Sequence, residues 1–326
     1  MNLLSRVTVA ARAACRQSTH RGPTSAGTAV FWACVVSASV WLGSISVESV
    51  HAAGVFGGPP PDKTPSRSNL YKADTSRSAR HAAIQSIPFE KLPPEARRKV
   101  SSVLSANTLF RRMPVHATSC DRDVYLFMVR HPDVLVGTWE ELGVSELRMA
   151  KTEPDVFHVT EGKAAVGTAE FLYRDDDMHI VYCEGEYHGP LLGKPIRGRS
   201  LLILTTDYVS KPNGRYSIVS RLDTFTDVEN ATVEFLTRTF QPLVGRIVDN
   251  NFLQTSAFVG SLSRTMEVNH RGVQRLASNL NRVKPEVRKE FALLARQVAQ
   301  KSSLRQASHQ VPVGTPVAAE PNAARY

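Results

Sequence analysis

No glycine-rich phosphate loop, no G-x-S-x-G elbow and no close pair of cysteine or histidine ligands occurs in these 326 residues. The signatures of phosphate cradling, of an exposed serine nucleophile and of a metal site are therefore missing, and no cofactor or metal is expected. Cysteine is scarce, at four residues, and Cys15 and Cys34 fall within a leader. Cys120 and Cys183 lie several strands apart in the order derived below, beyond the reach of a disulfide, so two free thiols are expected. Acidic residues are absent from residues 1–26, which carry Arg6, Arg12, Arg16 and Arg21. No internal repeat is present.

The leader continues into an uncharged run at residues 27–47, rich in Val30, Phe31, Trp32, Val35, Val36, Trp41 and Leu42. Its length suffices for a bilayer, which needs about 20 apolar residues, and Val50-His51-Ala52 before Ala53 has the form of a small-residue cleavage site. Whether residues 1–53 act as a cleaved signal or as a signal anchor, the remainder is exported to the periplasm or cell envelope, because the arginines precede the run. Residues 54–86 open with Gly57-Gly58-Pro59-Pro60-Pro61 and read as a disordered tether. Residues 302–326 read as a disordered tail.

Lysine plus arginine number 40 against 30 acidic residues, a net charge of +10. Apart from the leader, the excess concentrates at residues 271–301. These charges belong to a basic helical extension expected at residues 269–301, and they offer peripheral attraction to an anionic membrane or wall surface, with a solvated helical face as the plainer alternative. Nucleic acid is not expected as a partner.

Between the ends, the pattern alternates between turns and apolar runs. Pro93-Pro94 leads a short amphipathic helix through Ala96, Val100, Val103 and Leu104, within residues 87–108. Residues 109–120 read as a strand with Pro114 at its irregular start. Asp121 caps a short helix, His131-Pro132 ends it, and a second short helix closes at Gly143. Strands are expected at 144–152, 155–160, 164–174, 178–187, 198–210 and 215–224, joined by Glu153-Pro154-Asp155, Glu161-Gly162-Lys163, Asp175-Asp176-Asp177 and Lys211-Pro212-Asn213-Gly214. Tight joints make the six an antiparallel meander, and the first strand brings the sheet to seven.

A long helix is expected over about 227–269, with Val233, Leu236, Phe240, Leu243, Ile247, Phe258 and Leu262 on one stripe. Thr226-Asp227 reads as its N-cap, and Pro242 as a kink within it. The Asn230-Ala231-Thr232 sequon fits capping better than glycosylation. The fold class is thus α+β, a curved seven-stranded antiparallel sheet around a long C-terminal helix, with two short helices after strand one.

That order of elements resembles the helix-grip fold of the START-like superfamily, which includes lipid-transfer domains and polyketide cyclases. The resemblance covers residues 109–268 and rests on element order, not on a motif. It implies a pocket between sheet and helix. It leads to the reading of an exported, non-catalytic binding protein for an apolar small molecule or lipid. The alternatives are a cyclase- or aromatase-like enzyme with a pocket carboxylate, and a cell-envelope scaffold.

If the Asp175 turn closes a regular hairpin, Phe171 and Tyr173 share a face with Met178, Ile180, Tyr182, Glu184 and Glu186, and Ala165, Gly167 and Ala169 leave room beside them. His179 falls on the opposite face and is taken as exposed. Arg199 and Arg221 are the nearest cations for Glu184 by strand order. Candidate ligand-binding residues are therefore Trp139, Phe171, Tyr173, Ile180, Tyr182, Glu184, Arg199, Arg221 and Phe240. Asp175-Asp176-Asp177 reads as turn chemistry, and the scattered histidines His116, His131, His158, His179 and His188 make no general base without a partner.

Overall fold

The structure, a computed structural model, describes residues 73–106, 108–188, 195–211, 214–229 and 241–309. The leader, most of the tether, Phe240 and the end of the tail lie outside them. Two helices come first, α1 (Arg77–Gln85) and α2 (Pro94–Ser105), joined through a short 3-10 turn at Phe89–Lys91. Then follow β1 (Leu109–Arg112), β2 (His116–Cys120), α3 (Arg122–Arg130) and α4 (Pro132–Glu141). The strands β3 (Leu147–Glu153), β4 (Val156–Glu161), β5 (Ala165–Arg174), β6 (Met178–Tyr187), β7 (Ile196–Ser210) and β8 (Tyr216–Val228) form the meander. Helices α5 (Gln241–Asn279) and α6 (Pro285–His309) end the described chain.

All pairings are antiparallel, in the order β1-β8-β7-β6-β5-β4-β3 with β2 also on β8, so the sheet has eight strands. The expected first strand is split. Pro114 has no N–H for the ladder, and the chain leaves β8 there before rejoining it at His116. The short helices match their sequence signals: the Asp121 side chain accepts from Asp123 N–H at 3.0 Å, and Gly143 takes φ +66°, the left-handed conformation that ends α4.

The long helix departs from expectation at its start. Strand β8 runs on to Val228, with Thr226 opposite Ser200 and Asp227 opposite Arg199, so Thr226-Asp227 is sheet and not a cap. Pro242 lies in the first turn of the described helix. The backbone leaves helical geometry at Asn269 (φ −147°, ψ 51°), where the Asn269 side chain accepts from Gly272 N–H at 3.1 Å and caps the next segment.

Both sheet faces are covered. On the inner face, α3, α4, α5 and α6 build the main core around Phe157, Leu202, Leu222, Phe252 and Phe291. On the outer face, α1 and α2 cover Ile180, Tyr182, Leu201, Ile203 and Phe225. The expected tether therefore gives way to structure before residue 86, because Ala79 and Ala83 of α1 are buried against the sheet side. Helix α6 runs on to His309, past residue 302 where a disordered tail is expected, and it packs into the main core. Phe291 is fully buried and stacks on Phe127 at 5.6 Å, and Leu294, Ala295 and Val298 are buried beside it. Among the described residues, no helix is long and apolar enough to cross a membrane.

Candidate functional site

A cavity of about 160 Å³ lies between the inner face of the sheet and α5. Helix α3 contributes Tyr125 and Met128, α4 contributes Leu135 and Trp139, and α5 contributes Phe252, Thr255 and Val259. The sheet supplies Phe157, Ala169, Phe171, His179, Val181 and Leu202. The floor is shaped by edge-on aromatic contacts, Phe157 to Phe171 at 6.0 Å and Phe171 to His179 at 6.2 Å, while Trp139 meets Phe258 at 5.9 Å. Small Ala169 leaves the space that these rings surround.

A β-bulge decides which residues reach this cavity. Tyr173 does stand opposite Ile180, but the ladder slips between Phe171 and Tyr173, so that Phe171 faces Val181 and Ala169 faces Cys183. Beyond the slip, Ala165, Gly167, Ala169 and Phe171 belong with His179, Val181 and Cys183 on the inner face. Tyr173, Ile180 and Tyr182 pack on the outer face instead, with the α1 and α2 helices. One extra residue has exchanged the two sets.

Of the expected site residues, then, Trp139 and Phe171 line the cavity. Tyr173 and Ile180 are corrected to the outer core, and Phe240 lies outside the described residues. Tyr182, Glu184 and Arg199 are brought together, but in an open outer groove of about 570 Å³ on the far side of the sheet. There Glu184 is exposed and accepts from Tyr182 Oη at 2.8 Å; burial, and then this carboxylate, push the phenol upward. Arg199 pairs with Asp227 at 3.0 Å and Arg197 with Glu186 at 3.1 Å, so the groove's cations are already neutralised by its own acids. Arg221 also stands on the outer face, 3.7 Å from Asp223.

Two polar groupings border the inner cavity. The buried Tyr125 hydroxyl is satisfied, with Ser220 Oγ at 2.8 Å and Thr206 Oγ1 at 3.2 Å. His179 is not exposed as expected: it is 1% exposed, and neither ring nitrogen has a hydrogen-bond partner. Burial pushes its imidazole down to about 4, with Arg130 adding to the effect, so it is neutral at pH 7. Thr255 Oγ1 on α5 is likewise buried without a partner. Position 179 carried no sequence signal beyond its place in a strand; with the bulge unseen, its face was inverted.

Other chemistry is quiet. Cys120 and Cys183 are both buried free thiols, each pushed up to about 12 by burial and so unreactive. At the β5–β6 turn, Asp175 accepts from Asp177 and Met178 N–H, and Asp176 pairs with Arg122 and Arg130 at 2.6 Å each. Those acids form a turn and a clamp on α3. Among the described residues, no cluster of His, Cys, Asp and Glu could hold a metal ion.

No family model matches the sequence, and the comparison with curated proteins finds no relative of it. Among solved structures, a conserved protein of Geobacillus kaustophilus aligns over 46% of this chain and 93% of its own, at 8% identity and TM-score 0.31. An uncharacterised protein of Rhizobium leguminosarum aligns over 46% of this chain and 96% of its own, at 12% identity and TM-score 0.28. Likenesses this weak bear on neither fold nor function.

Proposed function

We propose that this is an exported, non-catalytic binding protein whose cavity between sheet and α5 holds a compact apolar molecule. The observation that supports it is a lining of mostly aromatic and aliphatic side chains around about 160 Å³. An engineered cavity of roughly 150 Å³ takes up benzene, whereas drug-sized ligands occupy about 300–1,000 Å³. The volume therefore favours a single ring over a lipid. The START-like resemblance agrees with the position of the cavity, and the arginine-led leader supports export.

The cyclase-like alternative asks for a carboxylate inside. No acidic residue among the described residues lines the cavity, and Glu184 is exposed on the opposite face. The binding reading makes no such demand.

The test is ligand-dependent stability of the full chain with benzene, toluene, naphthalene and a long-chain fatty acid. One-ring compounds should raise the thermal midpoint, since a ligand at about 100 times its Kd adds roughly 2.7 kcal/mol, and the fatty acid should not. Ala169→Leu, which fills the space beside Phe171, should abolish the shift. No shift with any of the four would end the proposal.

A further inference from the structure

Resting on that reading, we infer that the cavity selects a neutral ring bearing a hydroxyl group, and that His179 is the residue that reads the hydroxyl. The starting observation is an anomaly of satisfaction. Buried polar side chains are almost always hydrogen-bonded, yet His179 is 1% exposed with both nitrogens unpartnered. A neutral imidazole presents one donor and one acceptor, and both are idle here.

The charged groups nearest to it are engaged with one another. Arg130 pairs with Asp176 at 2.6 Å, and Arg174 pairs with Asp155 at 2.6 Å. Asp175 receives Tyr173 Oη at 2.7 Å and the turn amides of Asp177 and Met178. Across the register His179 faces Leu204, and its ring neighbour is Phe171. The open space bordering His179 is the cavity itself.

The other walls define the charge of the occupant. Among the described residues, no lysine, arginine, aspartate or glutamate lines the cavity, so a carboxylate or an ammonium would be buried there without a counter-ion. Thr255 Oγ1, also buried and unpartnered, stands on α5 while His179 stands on the sheet. A hydroxyl both donates and accepts, and so complements these two idle groups. The remaining surface of the occupant has only apolar partners. Phenol is the simplest molecule of this class, and benzene is its control.

The experiment measures binding of phenol and of benzene to the full chain by calorimetry at pH 7, for the native protein, His179→Leu and Thr255→Val. The native protein should prefer phenol by about tenfold, the worth of one net hydrogen bond. His179→Leu should lose that preference while still binding benzene, and phenol should shift the imidazole nitrogen resonances of His179 in the native protein. Equal native affinities, or a preference that survives His179→Leu, would overturn the inference and leave the cavity reading standing. Absence of binding by either compound would overturn both. If His179→Leu does not fold, the native ratio and Thr255→Val decide the matter alone.

Discussion

Two buried polar residues on opposite faces of the sheet illustrate how differently this fold treats a charge and a dipole. Asp223 is 0% exposed but held by the Arg112 guanidinium through contacts of 2.7 and 2.9 Å, with Arg221 at 3.7 Å. Each residue of the main pair satisfies the other, and Asp223 raises the Arg112 guanidinium further. Removing one partner strands the other, which typically costs about 3–5 kcal/mol. Arg112→Ala should accordingly lower stability by about that amount in urea denaturation. The double variant Arg112→Leu, Asp223→Leu should recover most of it, because well-packed apolar substitutes for a buried pair are often neutral. A single variant with a native midpoint would show that the pair contributes nothing. His179 presents the reverse case: its substitution by leucine removes an unsatisfied group and should cost little.

At the scale of elements, the strands were legible because their ends are written in turn residues: Glu153-Pro154-Asp155, Glu161-Gly162-Lys163 and the three aspartates before Met178. The faces were not. In most antiparallel sheets one face meets water and the alternation of polar and apolar residues names it, but here helices cover both. Phe171, Leu172 and Tyr173 suit either side, so nothing in the alternation announces the bulge between them. Helix α1 was missed for a related reason, since its buried contacts are alanines, which carry little apolar signal. For α6 the sequence carries an apolar stripe at Phe291, Leu294 and Val298, but its role as part of the main core depends on the partner Phe127, which spacing alone does not name. Phe291→Ala should therefore destabilise by about 3–5 kcal/mol, the usual result of emptying a buried aromatic site. Ending the chain at Asn269 should abolish the cooperative transition, because it exposes the inner wall that α6 covers. A truncated chain with a native-like melting curve would show that residues 270–309 are dispensable.

Across the whole molecule, pH dependence follows from how burial moves the titration of histidines and carboxyls in opposite directions. His179 and His131 are both held down to about 4, chiefly by burial, with Arg130 adding to the first and Lys151 and Arg174 to the second. In the unfolded chain each returns to about 6.5, so between these values the unfolded state binds more protons. Stability is then complete above pH 6.5 and is lost as pH falls towards 4. Asp133 opposes this in part, since burial raises its carboxyl and its contribution grows on acidification. Asp176 and Glu186, lowered mainly by Arg130 and Arg197, lose their contributions only below the ordinary carboxylate range. Burial also raises the Glu161 carboxyl, in the same sense as Asp133. The interval from pH 7.5 to pH 5 is the one in which these two histidines take up protons in the unfolded chain before the folded one. For His179 alone the shift corresponds to about 2 kcal/mol over that interval. Urea midpoints measured at both pH values should fall on acidification in the native protein and fall less in His179→Leu. If the two proteins lose equal stability between pH 7.5 and pH 5, His179 titrates normally and its burial as a neutral imidazole is wrong.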